Sequence, residues 1–266
     1  MNAQEHFKAG NLREAVAAAT DEVRKHPTDC GRRVFLSELL CFAGDLDRAD
    51  KQLDALGQVA PEATLGVALF RQLLRGEQAR QEFFAEGRVP EFLDRPAPHL
   101  ELHLQASVAL REGKAEEAAA FLAKAEEQRP HPAGTCDGQA FDDFRDLDDL
   151  TAAFFEVITS NGKYYWVPLD KVGLVEFRPL ERARDLLWRR THLIVRDGPD
   201  GEVYFPTLYP GTQADADDRV RLGRATDWRG GDGAPVRGVG QRTFLAGEAS
   251  RPILELTEIT FTPKGP

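Results

Sequence analysis

The chain has 266 residues, 42% of them hydrophobic, and a formal net charge of −10. That length supplies one or two packed cores, and no apolar run approaches the roughly 20 residues that a membrane span needs. The acidic balance repels phosphate, so nucleic acid and anionic membranes are poor partners and another protein fits better.

The amino terminus has no basic stretch followed by an apolar one and does not resemble a secretory signal; a cytoplasmic protein is expected. Cys30, Cys41 and Cys136 form no C-x-x-C pair. Buried neutral thiols are expected rather than a disulfide framework or a zinc ribbon.

The first half carries a repeated spacing. Gly10, Ala15 and Pro27 recur as Gly44, Ala49 and Pro61, and again as Gly113, Ala118 and Pro130. The first two copies are offset by 34 residues, the tetratricopeptide period. Gly permits the sharp turn between two helices, a small Ala lets them approach, and Pro stops the second helix. The frame predicts a helical solenoid over residues 1–130, with Leu36, Ser37, Leu40, Leu53, Leu56, Leu102, Ala106, Leu122 and Ala125 on packing faces. It projects Val34, Glu38, Cys41, His103 and Ser107 toward a concave, mildly apolar groove suited to an amphipathic helix.

Composition shifts near Pro130: all three Trp, all four Tyr and most of the Gly and Pro follow it. A linker is expected at residues 131–140 and a second, α+β domain at 141–266, giving a multidomain chain. Apolar residues three or four apart predict a helix over Asp142–Ser160. Strand-like runs follow at Tyr164–Val167, Val172–Arg178, Thr191–Arg196, Glu202–Phe205 and Ile253–Phe261, with turns at Asn161-Gly162 and Asp200-Gly201. A mainly antiparallel sheet is expected, with scope to curl into a barrel.

Six words occur in order in this half: Phe141 to Asp149, Tyr164-Tyr165-Trp166-Val167-Pro168, Arg184 to Arg190 with Asp185 and Trp188, Leu208-Tyr209-Pro210-Gly211, Leu222 to Trp228 with Arg224 and Asp227, and Gly238-Val239-Gly240-Gln241-Arg242. Together they resemble the ImpE/TagJ, or SciE-type, family of type VI secretion accessory proteins. The resemblance implies an adaptor that binds an amino-terminal helix of the small sheath subunit TssB and links it to the ClpV ATPase. Those partners come from the resemblance alone, whereas the repeat spacing supplies only a helix-binding solenoid.

Chemical motifs fail in detail. His99 and His103 share one helix face, but Glu101 is one residue late for the H-E-x-x-H arrangement and no third ligand is apparent. Gly238-Val239-Gly240 has Thr243 where a dinucleotide fingerprint needs its last Gly, and reads as a turn. Gly113-Lys114 lacks the phosphate-loop context, and Asp142, Asp143, Asp146, Asp148 and Asp149 lack the Gly and Glu of a calcium loop, so helix capping explains them better. No cofactor, metal or catalytic residue is expected. Arg184, Asp185, Trp188, Arg189, Arg190, Arg224, Asp227 and Trp228 have two readings: a structural network of Arg–Asp pairs and core Trp, or a pocket gripping a small ligand. The enzyme alternative would use Asp185 or Asp227 as acid/base beside Arg224, and a general interaction scaffold is the other alternative.

Overall fold

The computed structural model describes residues 1–59 and 64–263. Among the described residues seven helices come first: α1 Ala3–Ala9, α2 Leu12–Lys25, α3 Cys30–Phe42, α4 Leu46–Val59, α5 Thr64–Glu86, α6 Pro98–Arg111 and α7 Ala115–Gln128. Neighbours in sequence pack against each other. Gly10, Gly44 and Gly113 sit at φ 88°, 79° and 74°, the left-handed turn each helix pair needs. Ala15, Ala49 and Ala118 are fully buried between helices. Pro61 lies outside the described residues.

The strands follow: β1 Gly134–Cys136, β2 Gln139–Phe141, β3 Phe144–Asp146, β4 Phe154–Thr159, β5 Tyr164–Pro168, β6 Val172–Phe177, β7 Trp188–Val195 and β8 Asp200–Pro206. After the short α8 Asp218–Arg221 come β9 Thr226–Gly231, β10 Ala234–Gly240, β11 Thr243–Ala246, β12 Ala249–Pro252 and β13 Glu258–Phe261. One antiparallel sheet of eight strands runs in the order β2-β1-β13-β6-β7-β8-β4-β5, beside a β9–β10 hairpin and a three-stranded β12-β11-β3 sheet. The large sheet stays open, because β2 and β5 are its two edges, so no barrel closes.

The strand period of two sorts side chains between two cores. Along β4, Phe154 and Ile158 enter one cluster together with the helices, while Phe155 and Val157 enter the other, inside the curled sheet. Tyr164 and Trp166 of β5 likewise face the helices, and Val167 faces away. Helix α5 rests on this face. A Cβ at Gly76 would stand 2.4 Å from Ile158 Cγ2, so only Gly allows that approach. Helices and sheet therefore share one core.

Several expectations fail. Asp142–Ser160 is not a helix but β3, a 3-10 turn at Asp149–Thr151 and β4; the run Phe154-Phe155-Glu156-Val157-Ile158 is aromatic and β-branched, and is buried on both faces. Residues 131–140 are not a free linker, because β1 pairs with β13 and with β2. Gly134 is there for close approach: a Cβ would meet Thr260 O at 2.0 Å. The turn expected at Asp200-Gly201 falls earlier, where Asp197 adopts φ 54°, and only Glu258–Phe261 of the last run is a strand. Gly238 is a strand residue of β10, not a turn, and its missing side chain leaves room for the Tyr209 ring 2.3 Å from where a Cβ would be.

Candidate functional site

Glu156 falls between Phe154 and Ile158 on β4, so the pleat aims it at α5. There Arg80 meets it with Nε–Oε1 and Nη2–Oε2 distances of 2.8 and 3.1 Å, and its Nη2 also donates to Leu208 O at 2.9 Å. Tyr164 donates its hydroxyl to Glu156 at 2.5 Å and accepts from Trp166 Nε1 at 2.7 Å. Arg242 bridges Glu156 to Asp146, bonding the latter at 2.6 Å. Asp146 also accepts from Tyr209 OH at 2.7 Å and Thr151 Oγ1 at 3.0 Å. At the other end Glu77 joins Arg80 at 3.2 Å and accepts from Trp188 Nε1 at 3.0 Å.

The centre of the network is sealed from solvent, with Glu77 half-buried at its edge. Glu156, Asp146, Arg80 and Arg242 are all buried. Burial raises the Glu156 carboxyl, but Arg80 and Arg242 outweigh it and hold it at about 2. Burial pushes Asp146 up to about 6 against the pull of Arg242. The space beside it, lined by Cys41, Glu77, Arg80, Trp188 and Tyr209, is only about 30 Å³, the size of one water. Each carboxylate is occupied by partners, so these ion pairs join helix to sheet.

The family words thus divide. Tyr164, Trp166, Trp188, Tyr209 and Arg242 belong to the buried network. Gly240, at φ 95°, has Ala225 O 2.1 Å from any Cβ position, and Gln241 donates to Gly223 O at 3.1 Å. Arg224 reaches back to the last turn of α1, donating to Lys8 O and Phe7 O at 2.8 and 2.5 Å and covering the Phe7 ring. Asp185 accepts the backbone N–H of Glu181 and Arg182 at 2.9 and 2.8 Å, and Asp227 that of Trp228 at 2.9 Å. Among the described residues no bond joins Arg224 to either Asp, so the acid/base constellation does not assemble. Trp228 stays exposed on β9, its ring meeting that of Tyr209 in a T-shaped contact at 5.7 Å. Pro168 ends β5, and Pro210 lies half-buried before Gly211, a residue at φ 83°.

The expected groove is not open. Glu38, Cys41, His103 and Ser107 are 5%, 6%, 2% and 4% exposed, and only Val34 is half-buried. The second half of the chain covers that face: α3 packs against the 3-10 turn Ala183–Leu186, and His103 Nδ1 meets Leu150 O at 3.0 Å with its ring edge on Phe154. Burial, with His99 nearby, lowers His103 to about 3, and burial raises Glu38 to about 7 against the Arg184 charge. The acidic stretch is likewise structural. Asp148 caps the 3-10 turn through Leu150 N–H and also holds Arg237 and the Gly238 N–H, each at 2.9 Å. No group of His, Cys, Asp and Glu among the described residues is arranged to hold a metal ion.

Besides a cleft of about 770 Å³ lined by Gln139, Phe141, Ala246 and Arg251 and one of about 230 Å³ at Phe92 and Pro96, two surface clefts adjoin edge strand β5 or the start of α5. One, of about 370 Å³, is lined by Leu93, Val157, Tyr165, Val167, Leu193 and Val203 beside edge strand β5. The other, of about 390 Å³, lies between the start of α5 and the arginines near β7.

Over 99% of its length the chain is 32% identical to the type VI secretion system accessory component TagJ of Pseudomonas aeruginosa, spanning 92% of that protein. Residues 138–260 match the family model described as ImpE protein. The chain belongs to the ImpE family. A crystal structure of a Vibrio parahaemolyticus protein superposes with a TM-score of 0.92 at 25% identity, covering 98% of both chains. The ImpE match covers β2 to β13, so Glu156, Asp146 and Arg242 fall inside it while Arg80 and Glu77 fall outside. Sequence reasoning missed Glu77, Arg80 and Glu156. The one signal for Glu156 was a lone charge inside an otherwise apolar strand run.

Proposed function

We propose that this ImpE-family chain is a non-enzymatic accessory component of a type VI secretion system, acting in the cytoplasm by binding another protein. The single observation that carries the reading is the full-length similarity to TagJ, which leaves no large part of the chain unmatched. The finer partners are the amino-terminal helix of the small sheath subunit TssB and, through it, ClpV. The helical half is read as tetratricopeptide-like on its Gly and Ala positions, but its expected groove is filled by the chain's own second half. The helix is therefore assigned to the apolar cleft beside β5, where Leu93 is exposed in the lining. An amphipathic helix can seat its i, i+3 and i+4 anchors there.

Calorimetric titration of a synthetic peptide from the TssB amino-terminal region tests this. Micromolar binding that Tyr165→Asp weakens at unchanged circular dichroism is expected. Binding unaffected by Tyr165→Asp moves the site, and absence of binding removes TssB as the partner.

A further inference from the structure

The cleft at the start of α5 holds an unusual pair of side chains. Arg184 is 9% exposed, and its guanidinium lies 5.0 Å from the Phe70 ring centroid, yet it donates no side-chain hydrogen bond to any described residue. Glu38 and Asp185 act on its charge without a hydrogen bond to the guanidinium, and Asp185 instead accepts the backbone N–H groups of Glu181 and Arg182. Tyr204, also 9% exposed, lines the same cleft, and its hydroxyl has no hydrogen-bond partner among the described residues. Neither group is sealed away, so water reaches both from the cleft, and a ligand oxygen that takes the place of that water meets two preplaced donors.

The rim adds charge and apolar surface. Arg178, Arg182 and Arg190 join Arg184 in the lining against only Glu181 and Asp185, on a chain whose net charge is −10. Arg178 pairs with Glu176 and Glu202, and Arg190 with Glu202, which leaves Arg182 and Arg184 as the rim arginines without a carboxylate ion pair among the described residues. Beside them Leu65 is 85% exposed and Leu69 half-buried on the same face of α5. A free phosphate gains nothing from those leucines, whereas an acidic side chain flanked by apolar neighbours would cover them.

We propose that this cleft is an oxyanion site that receives a carboxylate side chain from an acidic, amphipathic segment of a partner protein. Arg184 and Tyr204 donate to the carboxylate, and Leu65 and Leu69 receive the adjacent apolar side chain. The site lies on the helix-facing side of β8, opposite the apolar cleft assigned to TssB, and does not depend on that assignment.

The test uses the whole protein and four probes: glutarate, inorganic phosphate, a soluble helical peptide with Glu and Leu at i, i+3 and i+4 spacing, and the same peptide with Gln for Glu. Arginine Nε–H resonances report the small anions and fluorescence anisotropy reports the peptides. Glutarate should shift the Arg184 signal, and the Glu peptide should bind at least about tenfold tighter than the Gln peptide, the worth of a charge-assisted hydrogen bond. Arg184→Gln should erase that preference, Tyr204→Phe should reduce it with the ring retained, and Leu65→Ser should weaken the peptide while leaving glutarate unchanged. Equal response to phosphate and glutarate without any peptide preference would make this a free-anion site and overturn the proposal. No response at Arg184 to any probe would overturn it as well.

Discussion

Substituting Glu156 by Gln tests the buried junction most sharply. The side chain is fully buried and accepts from Arg80 twice, from Tyr164 and from Arg242. A glutamine keeps the shape but replaces one acceptor oxygen with an NH2 group that faces a guanidinium, and it leaves two buried arginines sharing only Asp146 and Glu77. Removing one partner of a buried ion pair costs about 3–5 kcal/mol. The proton linkage agrees in size. A carboxyl held at about 2 rather than 4.5 contributes stability that is complete above pH 4.5, worth roughly 3 kcal/mol and lost as pH falls toward 2. At about 2–4 °C per kcal/mol for a chain of this size, the melting temperature should drop by about 6–20 °C at pH 7, with the gap to wild type closing as pH falls through that window. Urea unfolding at pH 7 measures it, and a loss under about 1 kcal/mol would show that the network is not the junction described here.

Other expectations follow from single contacts. Burial holds Glu38 at about 7 instead of 4.5, so the folded state keeps a proton that the unfolded state loses and stability falls as pH rises between those values. Glu38→Gln should therefore stabilise by up to roughly 3 kcal/mol at pH 8 and not at pH 4; an equal melting difference at both pH values refutes this. Gly238→Ala forces a methyl into the Tyr209 ring and should cost about 1–3 kcal/mol in thermal melts, an effect that a near-unchanged melt would deny. Arg224→Ala removes two bonds to the last turn of α1 and should speed hydrogen exchange in Ala3–Ala9 selectively; uniform exchange rates would contradict that role.

The sequence disclosed the features that repeat locally. Gly10, Gly44 and Gly113 with Ala15, Ala49 and Ala118 needed only helix geometry to interpret, and the structure gives them left-handed turns and full burial. Six family words could be recognised as belonging together without revealing why. Their cause is long-range: Arg80 and Glu156 are 76 positions apart, and Glu156 and Arg242 are 86 apart, beyond any spacing rule. The groove misled for a related reason. A solenoid frame assumes that its inner face is open, but here Leu150 and Phe154 cover His103, and the turn Ala183–Leu186 covers α3. Phe144 to Phe155 mimicked a helical period because two strands and a 3-10 turn happened to place aromatics three or four apart.

The proposed accessory role in a type VI secretion system turns on binding of the small sheath subunit. Affinity purification of the full chain from cells with an active secretion system, with mass spectrometry of bound proteins against a strain lacking the sheath operon, tests it most directly. The account predicts that the small sheath subunit is enriched, and that Tyr165→Asp lowers the enrichment while Glu156→Gln does so only under conditions that unfold the chain. Recovery of no sheath component from the active strain would contradict it.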